Sequence, residues 1–173
     1  MHTISLIFIF IIVIIILVIS LTYATDASVA VGQSAARQTD PDLSAAYFYL
    51  TWTVSILWIV ISLIIIGVIA LIIFGPEFLP IFGKTLVYLV LAFMVIAIIV
   101  VGVISSIAAF HINRSPENST VGSADEDAII AAVVSLGSIG LVGVGYAITW
   151  YANKAPGSDG MYDNIPPQDT VYQ

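Results

Sequence analysis

The chain has 173 residues, of which 60% are apolar and 9% charged, and its net charge is −7 from 11 acids against four Lys and Arg. A soluble domain carries roughly 45–50% apolar and about 25% charged residues, so water is not the main solvent here. The acidic balance argues against nucleic acid, or anionic lipid held by a basic patch, as a partner, and the lack of cysteine excludes intrachain disulfides, thiolate metal sites and palmitoylation.

Four long apolar runs, residues 3–25, 43–76, 85–116 and 128–153, organise the chain. About 20 apolar residues cross the hydrocarbon of a bilayer as helix. The runs therefore predict four spans, at about 3–23, 44–74, 84–110 and 126–152. The fold class that follows is all-α: an integral membrane four-helix bundle built from two helical hairpins and occupying residues 1–155. An extended acidic tail containing Pro and Gly follows at 156–173.

The first run resembles a signal peptide in having Thr22-Tyr23-Ala24 at its end. Ile4 to Leu21 exceeds the usual 7–15-residue apolar core of such a peptide, and no Lys or Arg precedes it, so a retained span is expected. Asp26 to Thr39 reads as a polar connector that continues the helix for a turn or two. The string Thr39-Asp40-Pro41-Asp42 is then a helix start, with Thr39 or Asp40 as cap and Pro41 in the first turn, where its missing N–H is not needed.

The second span, from about Pro41 to Phe74, is ~50 Å long at 1.5 Å per residue against a hydrocarbon thickness of ~30 Å, so it must project beyond the bilayer. Tyr47, Tyr49 and Trp52 are expected to form an aromatic belt at that interface, with Trp150 and Tyr151 forming its counterpart at the opposite one. Gly75-Pro76 ends the helix, and Glu77 to Gly83 makes a short turn. The third span closes near Phe110-His111. Ser123 and Glu126 then have the spacing of a capping box, and Asp125, Glu126 and Asp127 suit the positive end of the fourth helix.

Arg37 and Arg114 fall at one membrane face and Lys84 and Lys154 at the other, so the basic residues do not fix orientation. The sequons Asn113-Arg-Ser115 and Asn118-Ser-Thr120 would place the third connector outside if they were glycosylated.

Candidate functional features are few. Small residues crowd the fourth span, and Ala131, Ser135, Ser138, Gly140 and Gly143 are expected to form a tight helix contact, because small side chains let backbones approach in lipid. The alternative is a narrow pore lined by Ser135 and Ser138. No Asp, Glu, Lys, Arg or His lies in the central part of any span, which argues against coupled transport and against an intramembrane enzyme. His2 and His111 fall at opposite faces and cannot share a metal. The reading is thus no catalytic site, no metal and no cofactor. In the tail, Tyr162, Pro166, Pro167 and Tyr172 are candidates for docking a protein partner.

The segment from Asp42 through Tyr47 and Tyr49 to Trp52, running into a long apolar helix, resembles small multi-span inner-membrane structural proteins of icosahedral large DNA viruses. The resemblance covers mainly residues 36–75 and the general layout. It implies a virion component beneath a capsid shell that anchors the internal membrane to minor capsid proteins. The residues themselves lead to a non-enzymatic scaffold with the lipid bilayer, neighbouring structural proteins and further copies of itself as partners. An accessory subunit of a large membrane complex and a small channel-forming oligomer remain as alternatives.

Overall fold

The computed structural model describes residues 2–74 and 84–153. Among them stand four long helices: α1 His2–Gln33, α2 Pro41–Phe74, α3 Lys84–Arg114 and α4 Ala124–Asn153, with short 3-10 turns at Ala35–Gln38 and Asn118–Val121 in the two connectors. All four helices are long and apolar enough to cross a membrane. The protein is an all-α integral membrane bundle. The turn expected at Glu77 to Gly83 and the tail lie outside the described residues.

Each helix packs against its neighbours in sequence, and α4 closes the ring against α1. The inward positions follow one rule. In α1 they are Val13, Leu17, Ser20, Ala24, Ala27 and Val31; in α2, Leu43, Ala46, Leu50, Thr53, Leu57, Val60 and Ile64, all buried. α3 contributes Ile98, Val101, Ser105, Ala108 and Ile112, and α4 contributes Ala124, Ala128, Ala131, Ser135 and Ser138. Steps of three and four alternate throughout, which is the seam of helices crossing at about 20° in a left-handed bundle.

The core has two tiers. One joins Val13, Leu17, Leu21, Leu57, Val60, Ile61, Ile64, Ile98 and Val101 around Ala131. Lipid tails are as apolar as these side chains, so this tier is held by close packing and a few hydrogen bonds rather than by escape from water. Ser20 donates to the carbonyl of Ala131 at 2.8 Å, and Ser105 donates to the Thr53 hydroxyl at 3.3 Å.

The second tier gathers Ala27, Val31, Leu43, Ala46, Leu50, Ala108, Ala109, Ile112, Val121, Ala124 and Ala128 at the end where both connectors lie. Charged side chains surround it, so here the hydrophobic effect operates, at about 1.5–3 kcal/mol for a fully buried leucine or isoleucine. This tier explains why α1 continues for about two turns past Asp26 before the connector leaves the helix: Ala27 and Val31 keep the inward spacing, so α1 runs through Gln33 and covers the first turns of α2. Helices of 30 to 34 residues span ~45–50 Å, so the charged end stands beyond the ~30 Å hydrocarbon layer.

Candidate functional site at the charged end of the bundle

Asp40 begins the cluster. Its Oδ1 accepts the backbone N–H groups of Asp42 at 2.8 Å and Leu43 at 3.4 Å, which makes it the cap of α2 that the Thr39-Asp40-Pro41-Asp42 string predicts. Its Oδ2 accepts the hydroxyl of Ser115, a residue just past the end of α3. The same Ser115 oxygen accepts the N–H of Glu117 at 3.1 Å. The hydroxyl of Ser115 holds the Asp40 carboxyl below the usual carboxylate value, burial works against that, and the two capping N–H groups add to it.

One turn inward, Asp42 and His111 join the same two helices. His111 Nδ1 lies 2.8 Å from Asp42 Oδ1, and Arg114 Nε lies 4.0 Å from Asp42 Oδ2. The imidazole stacks on the ring of Tyr49 with centroids 5.8 Å apart and planes at 18°. On the other side of α2, the Arg37 guanidinium sits 4.3 Å above the Tyr47 ring, a cation–π contact. That ring leans on Gly32 of α1, where a Cβ would stand 2.8 Å from Cε2. Ser34 and Thr120 hydroxyls, 3.0 Å apart, tie the two connectors together.

Two residues of the expected belt take part in these contacts. Tyr47 and Tyr49 are half-buried parts of the packed end, because Gly32 and His111 offer them flat partners. Trp52 is exposed, set edge-on to the likewise exposed Phe48. The side chains of Trp150 and Tyr151 lie outside the described residues, as do Tyr162, Pro166, Pro167 and Tyr172 of the tail. His111 bridges α2 and α3 through Asp42. At the start of α4 the carbonyl of Ser123 accepts the N–H of Asp127 at 3.0 Å.

The small-residue track divides. Ala131, Ser135 and Ser138 are buried on the inner seam. Gly140 and Gly143 are exposed, and a Cβ on either would meet nothing within 4 Å, so they are not part of the contact within the bundle. The reason is angular: at 100° per residue, Gly140 stands about 200° around the helix from Ser138. The close approach that does need glycine is at Gly102 of α3, where a Cβ would fall 2.6 Å from Cγ of Leu136. The hydroxyls of Ser135 and Ser138 bond carbonyls of their own helix, Ala132 at 2.9 Å and Ser135 at 2.6 Å. They face the bundle interior, so the axis of an oligomer is not where they point.

The site is a set of clasps. Asp40, Asp42, His111 and Ser115 hold one another, and no described Ser hydroxyl is paired with His111 as a nucleophile with its base. No three His, Cys, Asp or Glu among the described residues come together to hold a metal. Outside the clasps lie the acids Asp26, Asp125, Glu126 and Asp127, close enough for the other three to act electrostatically on Asp127. The signals sequence reading passed over were Ser115 and Gly32, each of which acts through a residue far away in the chain.

Residues 60–94, from the second half of α2 into the first part of α3, match the family model described as mttA/Hcf106 family. The match covers a minor part of the chain and marks a local likeness in the second hairpin of the ring. Comparison with curated proteins and with solved structures finds no match.

Proposed function

We propose that this protein is a non-enzymatic membrane scaffold: a lipid-embedded shaft that carries a braced acidic cap, with the cap and the tail from residue 156 docking neighbouring proteins. The observation that supports the reading most is the cap's double tie, Asp40 to Ser115 and Asp42 to His111. It fixes the ends of α2 and α3 while leaving Asp26, Glu117 and Glu126 turned to water. Ionisable residues gather at this end and are missing from the middle of the spans, which favours docking over chemistry within the membrane. The specific form proposed is a virion inner-membrane component that anchors the membrane to capsid proteins, and it draws on the resemblance of residues 36–75.

Cross-linking mass spectrometry on the native membrane tests the reading. Carboxyl-directed cross-links from Asp125 and Glu126 to one recurrent neighbour are expected, and from the tail, which leaves α4 at the other membrane face, to a neighbour on that side. Deleting residues 157–173 should leave insertion intact and weaken capture of that neighbour. Unchanged capture would remove the tail from the proposal, and ion flux through liposomes carrying the purified protein would overturn the scaffold. The mttA/Hcf106 likeness, to a family of membrane proteins, supports a second reading as an accessory subunit of a larger membrane complex, which the identity of the cross-linked neighbour separates from the first.

A further inference from the structure

The wall that the bundle turns toward lipid is furrowed between α3 and α4. A cavity of about 340 Å³ there is lined by Gly102, Val103, Ser106, Ile107, Phe110 and Leu136. Gly102 permits it, since Leu136 packs against bare backbone at that level. The lining is apolar, and its one hydroxyl, on Ser106, already donates to the Gly102 carbonyl at 2.8 Å. Val103, Phe110 and Leu136 are exposed, so the furrow opens to the side where the bilayer lies.

Val103, Ile107, Phe110 and Arg114 follow at steps of four, three and four, which puts them on one face of α3. The furrow therefore leads, within about one turn of helix, to a guanidinium at the level where the chain leaves the hydrocarbon. Arg114 is 68% exposed, and its tie to Asp42 is a long one through Nε alone. Guanidinium has five N–H donors in a fork that fits phosphate. An aliphatic chain below and a phosphate one turn above is the layout of a phospholipid. The acids around the cap, Asp26, Glu117 and Glu126 among them, repel a net negative headgroup at this range.

From this geometry we infer that the α3–α4 furrow holds one acyl chain of a zwitterionic phospholipid, with Arg114 on its phosphate. This site is independent of any protein docked on the cap. The test is native mass spectrometry of the full chain, purified in mild detergent and offered equal amounts of phosphatidylethanolamine and phosphatidylglycerol. Wild type should retain one phosphatidylethanolamine per chain in preference to phosphatidylglycerol. Arg114→Gln should lower that retention about tenfold, the scale of a single charge-assisted hydrogen bond. Ser106→Leu and Val103→Phe, both filling the furrow from exposed positions, should lower it comparably while helical circular dichroism stays at the wild-type level; if one variant fails that check, the other decides. Equal retention of both lipids, unaffected by the furrow variants, would mean ordinary boundary lipid and overturn the site. A change of oligomeric state in Ser106→Leu with lipid retention unchanged would overturn it in favour of a helix-docking surface.

Discussion

The hydroxyl of Ser115 donates to the carboxylate of Asp40, 75 positions away in the chain, and both groups are buried. One bond thereby fixes the start of α2 against the end of α3. It does so through the carboxylate that caps α2, so removing the serine hydroxyl weakens two helix ends together. Ser115→Ala is expected to shift the unfolding equilibrium in mixed micelles by roughly fivefold, the effect of one hydrogen bond. Amide exchange should speed up at Asp42, Leu43 and Glu117 and stay unchanged in the lower tier.

Acid should open the same tie. The Asp40 carboxyl is held below its ordinary value of 3.8 in the folded chain. A depressed folded value means that the contribution to stability is fully present above pH 3.8 and is lost as pH falls through the lower, folded value. Hydrogen exchange of the α2 N-terminus followed against pH should therefore stay flat down to about 3.8 and rise only below it. In Ser115→Ala the rise should start at the same pH and be smaller, because the chief cause of the depression has been removed.

Glycines on this bundle should divide by face. Gly102→Ala places a methyl group 2.6 Å from Cγ of Leu136, and overpacking of this kind costs about 1–3 kcal/mol. Adding Leu136→Ala should recover much of the stability. Gly140→Ala and Gly143→Ala meet nothing and should leave thermal unfolding in detergent at or slightly above the wild-type value, since alanine is the better helix former.

The buried serines separate in the same way. Ser20 reaches across from α1 to the Ala131 carbonyl, so Ser20→Ala should cost roughly 0.6–1.7 kcal/mol, the range for hydrogen bonds between membrane helices. Ser138 bonds a carbonyl of its own helix, and that carbonyl keeps its helical partner when the hydroxyl is gone. Ser138→Ala should fall within about 0.5 kcal/mol of wild type by the same unfolding assay.

The spans and the α2 cap were legible in the sequence because both depend on local composition: long apolar runs for the first, and the Thr39-Asp40-Pro41-Asp42 string for the second. Which face of each helix turns inward was not legible. A helix in water shows its inner face by contrast with polar positions, but Ile15, Trp58, Ile59, Phe93 and Val133 are as apolar as the core and point outward. The alternating three-and-four spacing of Ala124, Ala128, Ala131, Ser135 and Ser138 is present in the sequence, yet the intervening Gly137 and the following Gly140 and Gly143 hide it. His111 and Ser115 were out of reach for another reason. Their partners are Asp42 and Asp40, and no local pattern records a contact between residues so far apart.

From Leu43 to Phe74, α2 carries no ionisable group apart from its two tyrosines, a stretch of ~48 Å at 1.5 Å per residue. A bilayer of ~27 Å or of ~33 Å can therefore cover different windows of the same helix without submerging a charge. Asp26 of α1 sets the limit, because the charge-free residues 3–25 span only ~35 Å: the molecule has vertical play in the thinner layer and little in the thicker one, and the capped end rides up or down as one piece.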